Sequence, residues 1–156
     1  MRTPEAPNAT IAAFGYPGSL IADYRHWVVL LRPQQVTLGS LILACTGPAT
    51  AFSDIGREAF AELATAVGDI ERVLGAAFAY DKINYLMLMM VDPHVHFHVL
   101  PRYSEVRTFA GTDFEDAGWP AAPDLKAVND ITKAQRTELI DHLRAVWPRG
   151  PAQPSA

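Results

Sequence analysis

The chain carries one cysteine in 156 residues, Cys45, so no disulfide can close within it and the fold needs no oxidising compartment. Its setting, Leu41-Ile42-Leu43-Ala44-Cys45, reads as a buried strand holding a structural thiol. No lysine- or arginine-rich block occurs, and 17 acidic against 13 basic residues leave a net charge of −4. Binding of extended nucleic acid through phosphate neutralisation is therefore not expected, although a small anion needs only a local positive site. No apolar run approaches the ~20 residues that span a bilayer. The first residues lack a cationic stretch followed by a long apolar one, so no secretory signal is read there. A soluble cytoplasmic chain with no membrane partner is the expectation.

What is present fits one domain with a single core. Residues 1–19 mix proline, glycine and small side chains and predict an irregular arm. Three strands are expected at 20–24, 26–32 and 40–45. Arg32-Pro33 ends the second, because proline has no ladder donor and restricts the residue before it. Gly39 opens the third and Gly47-Pro48 closes it. From 53 to 79 the period changes: Ile55, Ala59, Leu63, Val67, Ile70, Leu74 and Phe78 recur at three- and four-residue steps. This predicts a long amphipathic helix with Ser53 as its N-cap. Gly56, Gly68 and Gly75 each weaken it by about 1 kcal/mol relative to alanine, with close approach to a sheet as a reason to keep them.

Residues 82–90 predict a nearly apolar fourth strand. Val91-Asp92-Pro93 supplies a turn, and a fifth strand follows from His94 to about Arg102, antiparallel to the fourth. The stretch 103–131 reads as loop. Thr132-Lys133-Ala134-Gln135 has capping-box spacing and opens a final helix to about Trp147. Residues 105–156 thus form an extension with one helix, and its end, 150–156, reads as disordered.

The densest chemistry lies in His94-Val95-His96-Phe97-His98-Val99-Leu100, which holds three of the five histidines. A strand alternates its side chains between faces, so this spacing aims all three imidazoles to one side and Val95, Phe97 and Val99 to the other. A row of imidazoles is a poor buried face, because each ring nitrogen needs a partner. It suits a surface that must attack, hold or protonate a phosphate near neutral pH. Two histidines at i and i+2 also fit one zinc ion. A third ligand from Asp92, Glu105 or His142 is selected by no spacing, so no metal and no cofactor are expected.

The full histidine-apolar-histidine-apolar-histidine-apolar-apolar run, with Pro101-Arg102 after it, resembles the histidine triad (HIT) superfamily. The order of strands around the long helix is similar over 20–104. The resemblance implies an α+β fold: an antiparallel sheet of about five strands with a long helix across one face and a C-terminal helix. It implies nucleotide chemistry at an α-phosphate, on dinucleoside polyphosphates or nucleoside phosphoramidates, with small-molecule nucleotides as partners. By motif position His96 is the nucleophile, His98 donates to phosphoryl or leaving-group oxygens, and His94 binds and orients. Arg102, Asn84 and Asp92 are the substrate-binding candidates, Asp92 also as a histidine orienter. Family members are commonly homodimers, for which strand 82–90 and the long helix suit the interface. A nucleotide-binding protein without turnover is the alternative, with a metal-binding protein behind it.

Three departures leave the substrate open. Ser40 follows Gly39 where relatives often carry a further histidine. Arg32-Pro33 stands where many have an aspartate for ribose hydroxyls. A short Val91-Asp92-Pro93 replaces a longer glycine-containing loop. Phe14, Tyr24 and Trp27 are candidates to flank a base, against a default of core packing.

Overall fold

The computed structural model of the protein describes residues 7–148. The aliphatic runs expected as strands form β1 (Leu20–Asp23), β2 (Trp27–Leu31) and β3 (Leu41–Cys45), and every residue of β2 and β3 is buried. Such strands lack polar alternation because both faces of the sheet are covered. With β4 (Lys82–Leu86) and β5 (His96–Arg102) they make one antiparallel sheet in the order β1-β2-β3-β5-β4. The α+β architecture implied by the sequence is the one observed, and β5 enters between β3 and β4.

One face of the sheet carries α2 (Arg57–Phe78), whose Ala66, Ile70, Leu74 and Phe78 join Trp27, Val29, Leu31, Leu41 and Leu43 in the main core. Fully burying a side chain such as Ile70 or Leu74 contributes about 1.5–3 kcal/mol. The C-terminal helix α3 (Lys133–Val146) adds Leu139, Ile140 and Leu143 to the same core. Its start is fixed by the expected capping box. The Gln135 amide donates to Thr132 Oγ1 at 3.1 Å, and the Thr132 amide donates to Gln135 Oε1 at 2.8 Å. The other face of the sheet, with Val28, Leu30, Ile42 and Ala44, is covered from the N-terminal side by Ile11 and Phe14.

Several boundaries differ from the sequence reading, each for a local reason. The N-terminal arm contains a short helix, α1 (Ala9–Ala13), nucleated by Asn8, whose Oδ1 accepts from the Ile11 amide at 2.9 Å. The long helix starts at Arg57 with Gly56 as its N-cap. Ser53 sits instead in a 3₁₀ turn, Phe52–Asp54, which continues the apolar spacing without being part of the helix. The fourth strand stops at Leu86, and Met89 with φ +44° carries the chain out of the ladder. The fifth starts at His96, so His94 precedes it. Within the stretch read as loop, β6 (Arg107–Phe109) and β7 (Thr112–Phe114) form a small hairpin across Ala110-Gly111, both at positive φ. The disorder expected for 150–156 concerns residues outside those described. Among the described residues no helix is long and apolar enough to cross a membrane.

The helix glycines do not serve close packing: a Cβ built on Gly68 meets no atom within 4 Å. Gly39 is the opposite case. Its φ is +82°, and a Cβ there would stand 2.9 Å from the Phe78 ring. Gly68→Ala should therefore stabilise the protein by roughly 0.5–1 kcal/mol. Gly39→Ala should destabilise it by about 2 kcal/mol or more. Urea denaturation of the two variants beside the parent chain checks both signs.

Candidate functional site

Pairing fixes the direction of the triad. His98 stands opposite Ile42 of β3 and Leu86 of β4, and His96 opposite Ala44, so both rings share the face that carries Val28 and Leu30. Val95, Phe97 and Val99 belong to the main core on the other side. The two rings are neighbours, with centroids 5.1 Å apart and planes inclined by 67°.

Their hydrogen bonds give the two rings opposite tautomers. His96 Nδ1 lies 2.7 Å from the His94 carbonyl oxygen. A carbonyl only accepts, so Nδ1 carries the proton and the Nε2 lone pair is free. His98 Nδ1 lies 3.2 Å from Arg32 Nε. A guanidinium only donates, so here Nδ1 is the acceptor and the neutral ring keeps its proton on Nε2. Burial, then the Arg32 charge, then His96 lower the His98 pKa from 6.5 to about 4. One ring thus offers a nucleophilic lone pair and its neighbour an N–H donor.

Arg32 follows β2 directly and is held by a turn braced from within. Its amide donates to the Ser40 carbonyl, its Nη1 to the Gln34 carbonyl at 2.8 Å. Gln35, fully buried, donates Nε2 to the carbonyls of Arg32 and Ser40 and accepts from the Gly39 amide. Ser40 spends its hydroxyl inside this turn, donating to the Thr37 carbonyl at 2.8 Å and accepting from the Thr37 amide.

The N-terminal segment closes over the rings. Phe14 stands 5.5 Å from His96 and 5.8 Å from His98, centroid to centroid. Thr10 Oγ1 accepts from the His94 amide at 3.1 Å and shares a bond with His94 Nδ1 at 3.0 Å. Asn8 Nδ2 donates to the carbonyls of Cys45 and Gly47. Under this cover His96 is 2% and His98 8% exposed.

The HIT domain family model matches residues 21–105, more than half of the chain. The chain belongs to the HIT family. No curated protein matches the sequence. Among solved structures it is similar to a histidine triad protein from Bradyrhizobium japonicum, at 23% identity over 81% of this chain and 87% of that one, with TM-score 0.64. It is also similar to one from Sinorhizobium meliloti 1021, at 15% identity over 90% and 95%, with TM-score 0.69. A third, described as a zinc-bound histidine triad family protein from Mycobacterium smegmatis, shares 19% identity over 86% and 87%, with TM-score 0.58. At these identities the likeness is one of fold.

Within this HIT protein the remaining sequence candidates fall into two groups. His94 stays beside the site, reaching α1 through its ring and His96 through its carbonyl. Arg102 and Asn84 come together further along the same face. There Arg102 pairs with Asp116 through Nε at 2.7 Å and Nη2 at 3.0 Å, and donates to Asn84 Oδ1 and the Ala121 carbonyl. A cavity of about 440 Å³ opens beside them, walled also by Lys82 and Trp119. Asp92 forms no hydrogen bond or ion pair with a histidine among the described residues. Trp27 and Tyr24 are core, while Phe14 alone of the three aromatics meets the triad. Among the described residues no group of three or more His, Cys, Asp or Glu stands close enough to hold a metal ion. The site members that the sequence reading missed are Thr10 and Arg32. The signal for Arg32 was its parity with Val28 and Leu30, usable only once the order of β2, β3 and β5 is known.

Because Phe14 shields both rings, Phe14→Ala should raise the rate at which diethyl pyrocarbonate modifies His96 and His98 several-fold relative to His26. Peptide mapping after timed exposure reads this; unchanged rates would mean that the N-terminal segment does not limit access.

Proposed function

We propose that this protein is a HIT-type nucleotide hydrolase or nucleotidyl transferase. It cleaves at the α-phosphate of a dinucleoside polyphosphate or a nucleoside phosphoramidate. The observation that carries this is the pair of complementary tautomers on adjacent rings, a free lone pair on His96 beside an N–H on His98. His96 Nε2 attacks phosphorus and a P–N bond forms as the leaving group departs. The Nδ1–H bond to the His94 carbonyl then stabilises the positive ring of the nucleotidyl-histidine. Water cleaves that intermediate and returns the electron pair to Nε2. Division into two displacements is the usual gain of covalent catalysis. His98 donates Nε2–H to a phosphoryl oxygen where charge develops. His94 orients His96 through its carbonyl.

The rest of the ligand has room on the same sheet face, toward the cavity bordered by Asn84, Arg102 and Lys82. Arg102, engaged by Asp116, shapes that wall. A homodimer joined along the β4 edge accounts for the exposed Leu88, Met90 and Val91 that follow it, Met90 being 86% exposed.

The burial of His96 beneath Phe14 favours one second reading, a nucleotide-binding protein without turnover. Assay with diadenosine polyphosphates and a fluorogenic adenosine phosphoramidate separates the two. His96→Ala should abolish turnover with the fold intact by circular dichroism, and His98→Ala, which removes a donor to the developing charge, should slow it about 10²-fold or more. Nucleotide binding without product in the parent chain, unchanged by His96→Ala, would establish the binder instead.

A further inference from the structure

Among the described residues Arg32 is the one guanidinium that touches the triad, and its setting is unusual for a cation. It is 9% exposed, and the ion pairs among the described residues all involve other side chains. Burial pulls its pKa below the ordinary arginine value, yet arginine still keeps its proton at any working pH. A buried charge without a counter-ion is destabilising. The chain therefore maintains an unfavourable group at this position, and the side-chain partner it serves is His98.

The choice of arginine has a chemical consequence. A carbonyl at Nδ1, the support His96 has, leaves a histidine free to accept a second proton on Nε2. A guanidinium at Nδ1 does the reverse, because two N–H groups cannot face one another, and the neighbouring positive charge opposes protonation of the ring at any site. The other elements packed around His98 contribute Ile42 from β3, Leu86 from β4 and Phe14 after α1, none of them charged. Among the described residues the titratable or charged groups that face it are Arg32 and His96. The low His98 pKa has burial as its first cause and the Arg32 charge as its second, in line with this arrangement.

We infer that Arg32 is a positioning residue that makes His98 a permanent hydrogen-bond donor instead of a proton-carrying acid, and that this selects phosphoric anhydrides over phosphoramidates. The inference rests on the nucleotidyl-transfer reading above and narrows its substrate class by the leaving group. When His96 Nε2 attacks an anhydride, the P–N bond forms, the P–O bond breaks and the electron pair stays on the departing phosphate oxygen. That anion is stable, so no proton is required. When a phosphoramidate is attacked, the breaking P–N bond leaves its pair on an amine nitrogen, which must take up a proton. A neutral imidazole cannot give its last N–H proton near neutral pH, so the amine departs poorly. General acid help of the kind withheld is typically worth about 10²–10⁴ in rate.

Two measurements on the full chain test this separately. Long-range ¹H–¹⁵N spectra of the parent protein should show His98 with an acceptor-type Nδ1, protonated on Nε2, and no titration of the ring between pH 8 and about 5. In Arg32→Met its midpoint should move up measurably while staying below the ordinary histidine value of about 6.5, because the burial that also lowers it remains. Arg32→Gln keeps a donor without the charge, so it should hold the tautomer and titrate in between; it also serves if the methionine variant fails to fold. The second measurement is the ratio of kcat/KM for a dinucleoside polyphosphate to that for a phosphoramidate of the same nucleoside. The ratio should fall by about tenfold or more in Arg32→Met, with an acid limb appearing in the phosphoramidate pH profile. A His98 that titrates near 6.5 in the parent chain, or a ratio that Arg32→Met leaves unchanged, overturns the inference. Absence of turnover with either substrate sinks the nucleotidyl-transfer reading, and with it the substrate selection; the spectrum then decides the role of Arg32 as the positioner of His98.

Discussion

The pairing of β5 between β3 and β4 is the constraint on which the rest of this molecule depends. Side chains on a strand alternate with a period of two, so a slip of one residue would turn His96 and His98 into the core and Val95, Phe97 and Val99 out of it. The slip is opposed from both sides. Val95 and Val99 are fully buried on the core side in the observed register, and β2 and β3 are themselves buried along their length. Hydrophobic burial on one face thus sets the aim of the imidazoles on the other. The long helix takes part in this without touching the site: by covering Trp27, Val29, Leu41 and Leu43 it decides which face is core.

Within that frame the electrostatics are local. Two rings of the same chemical type sit 5.1 Å apart and carry their protons on opposite nitrogens, because one is supported by an acceptor and the other by a donor. The acceptor is the backbone of His94, which leaves the strand just before the ladder begins. The donor is Arg32, which the β2–β3 turn brings to the same face through a network of Gln35, Gly39 and Ser40. Tyr103, immediately after β5, donates its hydroxyl to the Leu38 carbonyl at 2.7 Å and ties that turn back to the triad strand. The histidine face is accordingly held by buried polar contacts at its rim and by apolar packing beneath it.

The two chain extensions treat the site differently. The N-terminal segment covers it directly, through Phe14 over the rings and Thr10 at His94, and is pinned to the end of β3 by Asn8. The segment after β5 docks at the far end of the strand through the buried Arg102–Asp116 pair, which leaves the histidines untouched and borders the cavity beside Asn84. An ion pair of that burial is weak evidence for stability, since desolvation offsets its attraction. Its geometric effect is clear: it fixes residues 116–121 against β5.

The sequence by itself determined the five strands of the main sheet, the long and final helices, the capping box at Thr132 and the shared face of His96 and His98, but not the hairpin of β6 and β7. All of these are local: they follow from side-chain periodicity and from hydrogen bonds between residues a few positions apart. It did not reach the short helix at Ala9–Ala13, whose apolar residues have no period long enough to read, nor the later start of the long helix at Arg57, because the 3₁₀ turn before it keeps the same spacing. The tertiary structure alone decided that Arg32 meets His98, that Phe14 covers both rings and that Arg102 belongs to Asp116. Those pairs are separated by 66, 82 or more, and 14 residues along the chain, and they meet only because strand order and register bring them together. Periodicity encodes which way a side chain points; it carries no information about which distant side chain lies there to receive it.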